Sequence, residues 1–348
     1  MELRYINKGV LVDYDLDVRL FEEFDLKVSD IVPLKNGYLI FSQKGKMLLK
    51  QMDYSKEKLE FIIKSLEYIE KNYVFYIKLL KTKDGSLYKT WKGKEYIIFD
   101  LEDNIQCDME NIDHLKAVVK SIANMHKASN GILNYISNDH YELLKENSSL
   151  TFDIEQEEEA LNKLKRYKEW TSIYIYKNQV DKIFLEYVDY YMNHIKESLA
   201  ILKNYSYEDL CREKDKISLC HGDINSGNII LDSSLHAYLM DFHLSTIDLR
   251  IKDLCNLINE EIRYETFDIA KIEMILSVYN TINPLQSNEI QIIYGFLKFP
   301  KEFFEIARNY YEKRNLWEEE VVLDKLIKYI NLEEKRKCLL EGLRSCKL

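Results

Sequence analysis

Between residues 28 and 101 the apolar positions come in short runs separated by polar turns, whereas from residue 111 onward they recur at three- and four-residue spacing. The first pattern predicts strands and the second helices. A short amphipathic helix comes first, with Leu16, Leu20, Phe21 and Phe24 on one face. Val28 to Leu34 has strand composition. Gly37 to Phe41 and Lys46 to Lys50 are paired strands joined by the turn Gln43-Lys44-Gly45. Lys56 to Lys71 is helical, with Leu59, Ile62, Ile63, Leu66 and Ile69 as its apolar stripe. Phe75 to Leu80 predicts a strand, and Asp84-Gly85 marks a hairpin turn. Ser86 to Trp91 and Glu95 to Phe99 are strands on either side of Lys92-Gly93-Lys94. The result is a small antiparallel lobe whose last strand runs into Asp100-Leu101-Glu102 as a hinge.

Beyond Asn111 the pattern is helical. Leu115, Val118, Val119, Ile122, Met125 and His126 mark one face, with His126 read as structural. Tyr135 to Thr151 reads as polar and irregular. Helices follow over Glu155 to Trp170 and Val180 to Leu202, and the basic run Lys163, Lys165, Arg166, Lys168 reads as a solvated face. From Asp248 to the end the pattern is again helical, broken near Pro284 and Pro300. The fold class expected is α+β, in two lobes. Residues 1–101 form a small antiparallel-sheet lobe, and residues 102–348 a larger, mainly helical one.

One stretch interrupts the helical half. His221-Gly222-Asp223-Ile224-Asn225-Ser226-Gly227-Asn228 is followed by the apolar runs Ile229-Ile230-Leu231 and Ala237-Tyr238-Leu239-Met240, joined by a polar turn and ended by Asp241-Phe242. Two such runs form a β-hairpin, which returns the chain to its starting level. Asn228 before the first strand and Asp241 after the second therefore come together. An amide oxygen and a carboxylate are the hard oxygen ligands that Mg²⁺ prefers. Asp223, five residues before Asn228, is placed to accept a proton from a substrate hydroxyl. A base, an Asn and a metal-binding Asp across a hairpin make the layout of a phosphoryl-transfer loop.

Composition narrows the rest. The 348 residues are 46% apolar and 31% charged, normal for a globular protein with a sizeable core. Ten Gly and three Pro leave little room for flexible linkers. A net charge of -10 argues against nucleic acid as a partner. None of the six cysteines forms a C-x-x-C pair, which argues against a zinc site, and in a chain of this size they read as reduced thiols in a cytoplasmic compartment. Met1 to Leu20 lacks the apolar run of a signal peptide, and no stretch is long enough to span a membrane. The 26 tyrosines read as packing, with cross-linking as the alternative.

The His221 to Asn228 stretch with its following Asp-Phe pair resembles the H-G-D-x-x-x-x-N loop of the aminoglycoside phosphotransferase family. Lys83 to Tyr88, Gly93 to Tyr96 and Asp248-Leu249-Arg250-Ile251-Lys252-Asp253-Leu254 add a likeness to the CotS-like spore-coat family within that group. The resemblance implies a two-lobed, protein-kinase-like α+β fold with ATP and Mg²⁺ as cofactors, Asp223 as base and Asn228 and Asp241 as metal ligands. It implies Lys50 on the ATP phosphates, held by Glu60 or, second, Glu57. The phosphate-covering loop would be Leu34 to Tyr38, and the backbone at Asp100 and Leu101 would meet the adenine edge. His221 and Asp253 would brace the catalytic loop. The implied partners are a small-molecule or sugar acceptor and other spore-coat proteins, and the implied location extends to the spore coat. Glu102-Asp103-Asn104 departs from the family, which has an apolar residue and a Gly there. Two readings follow: a kinase acting on an alcohol group, which choline- or homoserine-kinase-like metabolism would also fit, or a coat scaffold that keeps the kinase fold.

Overall fold

A computed structural model of the chain describes residues 16–34, 37–52, 55–73, 79–101, 105–139, 150, 153–264, 266–313 and 318–345. By packing, the chain divides into two compact units. The first comprises Met1–Ala128, Ile136–Asn147 and Asn225–Ser245, and the second Ser129–Tyr135, Ser148–Ile224 and Thr246–Leu348.

The first unit is built on an antiparallel sheet. Its strands are β1 (Val28–Leu34), β2 (Gly37–Ser42), β3 (Gly45–Met52), β4 (Lys89–Trp91) and β5 (Lys94–Leu101), in the spatial order β1-β2-β3-β5-β4. Pro33 sits in β1, an edge strand, where its missing N–H costs no ladder bond. Alternation along β3 sends Met47 and Leu49 to one face and Leu48, Lys50 and Met52 to the other. The first face is covered by α1 (Val18–Glu23) and its flanks, with Leu16, Leu20, Phe21 and Phe24 all buried as expected. The second face packs Met52, Ile97 and Phe99 against Leu59 and Ile63 of α2 (Lys56–Ile69), which Ser55 caps by accepting from the Lys58 N–H.

The strand expected over Phe75 to Leu80 lies outside the described residues as far as Lys78, and Leu79 makes a single bridge to Phe99. Glu102-Asp103-Asn104 also lies outside them. β6 (Ile105–Gln106) then joins β8 (Ile229–Leu231) and β9 (Ala237–Leu239) in a separate sheet, and α3 (Ile112–Ala128) packs on β9.

The second unit is mainly helical. A correction to the expected irregular segment falls at its border: α4 (Ile132–Asp139) includes Tyr135 to Asp139. Ile132 and Ile136, one helical turn apart and both fully buried, anchor it. The long pair α5 (Asp153–Ile173) and α6 (Gln179–Asn204) packs side by side, and Asn178 and Asp181 close a capping box at the start of α6. Their shared core takes in Tyr167, Phe184 and Tyr191 with Phe303 of a later helix. After the short α7 (Tyr207–Leu210), β7 (Ile217–Cys220) pairs with β10 (Thr246–Leu249). The remainder is α8 (Ile251–Glu261), α9 (Ile269–Ile282), α10 (Ser287–Lys298), α11 (Lys301–Tyr311), α12 (Glu319–Asn331) and α13 (Glu333–Ser345). No helix among the described residues is long and apolar enough to cross a membrane.

Candidate active site

In the first unit β8 and β9 form the expected hairpin, with Ile229 opposite Leu239. Asp232 closes the turn, its carboxylate accepting from the N–H groups of Ser234 (2.8 Å) and His236 (2.9 Å). At the open end the Met240 N–H donates to the Asn228 carbonyl at 2.9 Å, so pairing runs one step past the strands. Asn228 and Asp241 therefore stand at the same end of the hairpin. Asp241 adopts the left-handed conformation (φ 61°), which a short polar side chain tolerates better than most. His243 places Nδ1 3.1 Å from its Oδ1.

The Asp241 carboxylate pairs with the Lys50 ammonium, and only 15% of either side chain is exposed. The sheet face explains the meeting. Lys50 shares its face of β3 with Leu48 and Met52, and those two join Ile230, Tyr238 and Met240 of the hairpin in one apolar cluster. Apolar packing thus carries the hairpin, and Asp241 with it, to the lysine.

The acid expected to hold Lys50 is elsewhere. Glu60 and Glu57 are both exposed on α2, and the ion pair of Lys50 is with Asp241. Lys58 is the α2 residue that reaches this end of the hairpin. Its ammonium donates to the Ser245 carbonyl, and burial pulls its pKa down to about 8. Only its spacing gave a signal: Lys58 lies four residues before buried Ile62 and seven before buried Ser65. Asp100 and Leu101 close β5, opposite Met47 and Lys46. Of the expected phosphate-covering loop, Lys35 and Asn36 lie outside the described residues. Gly37 is required where it stands, because a Cβ there would lie 2.5 Å from the Leu49 carbonyl oxygen.

In the second unit the loop after β7 is held from below by α8. Asp253 is fully buried, and its carboxylate accepts from the N–H of His221 at 2.7 Å and of Gly222 at 2.9 Å. Charge-assisted bonds of this kind are strong in a dry setting. Asn256, three residues on, donates to the Gly222 carbonyl at 3.4 Å. Gly222 has φ +81°, the conformation that suits glycine. The buried His221 ring accepts the Asp223 N–H on Nδ1 at 3.3 Å, which leaves the ring proton on Nε2. His221 thus ties down the backbone of Asp223, and Asp253 ties down His221. Burial pushes the neighbouring Cys220 thiol far up, so it is inert.

The family model described as "Spore coat putative kinase YutH" matches residues 17–343. The chain belongs to this family. The likeness to spore-coat, kinase-like proteins read from His221 to Asn228 and Asp248 to Leu254 is thereby met in the YutH family. Solved structures give the fold independently. An aminoglycoside phosphotransferase from Alicyclobacillus acidocaldarius is similar at a TM-score of 0.80 and 17% identity, covering 94% of this chain and 95% of that one. A spectinomycin phosphotransferase solved with ADP and spectinomycin gives 0.62 at 13% identity, covering 98% of each. A Plasmodium vivax ethanolamine kinase gives 0.53 at 16% identity, covering 94% of this chain and 83% of that one. This member of the YutH family has the kinase-like α+β fold, with a small antiparallel sheet and a mostly helical remainder.

The work of Asp248, Arg250 and Lys252 was not visible in the sequence. Lys252 donates to Asp248 at 2.8 Å and to Asp153 of α5 at 2.7 Å. Arg250 makes a two-pronged pair with Glu289 of α10, both bonds 2.8 Å, with both side chains buried. These residues hold β10 and α8 in place beneath the loop that carries Asp223.

Proposed function

We propose that this chain transfers the γ-phosphoryl group of ATP to a hydroxyl of a small molecule or sugar. The observation that carries the reading is the Lys50–Asp241 pair beside Asn228 at the open end of the hairpin. A strand lysine and a hairpin carboxylate brought together by apolar packing make a phosphate-and-metal corner, and the structural relatives solved with ADP favour a nucleotide there.

In this reading Asn228 and Asp241 hold magnesium, which supplies charge neutralisation for the phosphates. Their oxygen donors fit that ion. Lys50 contributes a positive charge to the phosphates, and the backbone at Asp100 and Leu101 offers donors and acceptors to the adenine edge. Asp223 takes the proton of the acceptor hydroxyl. The acceptor oxygen bonds to the γ-phosphorus, the bond from that phosphorus to the bridging oxygen breaks, and ADP leaves. Asp253 and His221 hold the loop so that Asp223 needs no reordering, which is where a phosphotransferase gains most of its rate. Residues 1–101 serve as the nucleotide lobe and residues 102–348 as the acceptor lobe.

A second reading rests on the exposed Glu57 and Glu60. With neither acid on Lys50, the chain would serve as a coat scaffold with the fold and little turnover. Asp223→Asn separates the two. It keeps the shape and removes the basic oxygen, so Mg-ATP affinity by calorimetry should stay near the parental value while phosphotransfer falls by roughly 10²–10⁴-fold. Parental turnover in the variant would remove Asp223 as the base. A parent protein that binds no nucleotide would leave the scaffold.

A further inference from the structure

Trp170, Ile173, Tyr174, Ile175 and Tyr176 fall within seven residues, where α5 ends and the chain turns into α6. Ile175 is fully exposed, Tyr176 is 83% and Ile173 78% exposed, and about two-fifths of Trp170 and Tyr174 face water. Single exposed apolar residues are ordinary, but five large ones at one turn form a patch, and such patches mark contact sites. The function proposed above uses none of them.

The turn is built to hold them out. Lys177 ties off the end of α5, donating to the carbonyls of Ser172 at 3.1 Å and Tyr174 at 2.6 Å. Thr171 is buried, and its hydroxyl donates to the Tyr167 carbonyl at 2.7 Å. The capping box at the start of α6 is anchored to α11: Asn178 donates to the Tyr310 hydroxyl at 2.6 Å, and Asp181 accepts from the Tyr311 hydroxyl at 3.1 Å. With the turn pinned on both sides, its apolar side chains stay in water, at a hydrophobic cost that a partner would relieve.

Charge and residue type say what the partner is. The chain carries a net charge of -10, yet residues 163–182 hold six basic and two acidic residues. Lys163 pairs with Glu159 and Glu312, Lys168 pairs with Asp189, and buried Asp181 belongs to the capping box. Lys165, Arg166 and Lys182 are exposed and make no ion pair among the described residues, and Glu169 is the exposed acid among residues 163–182. Arg166 lies seven residues before Ile173 on α5, about 10 Å back along the axis. Isoleucine, tyrosine and tryptophan at a tip, with cations about 10 Å behind, match the layering of a lipid interface, where apolar groups enter by about 5–10 Å and cations stay at the phosphates. An acidic groove on a protein would have to match the projecting turn in shape, whereas a lipid surface deforms to it.

We propose that the α5–α6 turn docks the chain end-on to an anionic lipid surface, with Ile173, Ile175 and Tyr176 in the headgroup region and Lys165, Arg166 and Lys182 on its phosphates. A contact of this kind needs no spanning helix. It stands whether the chain is a kinase or a scaffold. The test is flotation of the full chain with phosphatidylcholine vesicles, alone and mixed with phosphatidylglycerol. Binding is expected to the mixed vesicles, at least about tenfold weaker to the neutral ones, and falling with added salt. Ile175→Ser with Tyr176→Ser should weaken it by about tenfold or more, and Lys165→Glu with Arg166→Glu likewise, with the urea midpoint unchanged because all four side chains are exposed. Val321→Ser, at an exposed apolar position of α12 outside the patch, should bind as the parent does. No binding to the mixed vesicles overturns the proposal, and so does binding that survives Ile175→Ser with Tyr176→Ser. Equal binding to both kinds of vesicle overturns it too, since the cations would then have no part. Self-association in place of vesicle binding, dispersed by the same double change, gives the patch to a second copy of the chain and overturns the lipid assignment.

Discussion

Lys50 and Asp241 are 191 residues apart in the chain and share one ion pair. Each was legible singly: Lys50 from its place on a strand, Asp241 from the geometry of a hairpin. Their pairing was not, because helical spacing gives α2 an apolar stripe without saying which flanking residue it presents to the hairpin. Glu60 was the expected partner, and Lys58 is the residue turned that way. The consequence is measurable. Lys50→Met should lower phosphotransfer by about 10²–10³-fold, the usual loss when one preorganised charge is removed, with Mg-ATP binding weakened as well. Glu60→Ala should stay within about twofold of the parent, as exposed helix charges do. Steady-state kinetics on both variants decide it: equal losses would return Glu60 to the role that the sequence suggested.

Elements follow the same division between local and distant information. β1 to β3 and α2 were readable because alternation and 3.6-residue spacing are local. The hairpin was readable because its two strands are consecutive. α4 was missed because its polar positions outweighed two isoleucines one turn apart. For α8 the motif Asp248 to Leu254 stood out, yet only the work of Asp253 was legible, and that only through the family resemblance. Arg250 waits for Glu289, 39 residues further on, and nothing local announces that partner. The pair fixes the junction of β10, α8 and α10 by a buried two-pronged bond. Removing Glu289 leaves the buried Arg250 charge with only the neutral acceptors Asn283 and the Pro284 carbonyl, so Glu289→Ala should destabilise the chain by about 3 kcal/mol, read as a lower urea midpoint. The double change Arg250→Met with Glu289→Leu should recover much of that loss, because an apolar pair leaves no orphan charge. Additive losses would mean that the pair does not act as a unit.

At the scale of the whole molecule, the candidate residues sort by unit. Lys50, Asn228, Asp241, Asp100 and Leu101 belong to the first, while Asp223, His221 and Asp253 belong to the second. The hairpin is the reason, since residues 225–245 leave the helical half and pack with the first unit. Sequence order alone hides this, because Asn228 and Asp223 are five residues apart and read as one loop. If the nucleotide reading holds, Mg-ADP should slow amide exchange in β3, β5, the β8–β9 hairpin and the turn after it. At a hundredfold excess over its Kd the stabilisation should be about 2.7 kcal/mol. Asp241→Ala should abolish the part of this protection that requires Mg²⁺. Hydrogen exchange with and without Mg-ADP, on parent and variant, reads both units at once. No protection in the first unit at any Mg-ADP concentration would remove the nucleotide, and with it the phosphoryl donor, leaving a YutH-family member that works by its surface. Protection that survives Asp241→Ala intact would keep the nucleotide and move its metal ligand elsewhere.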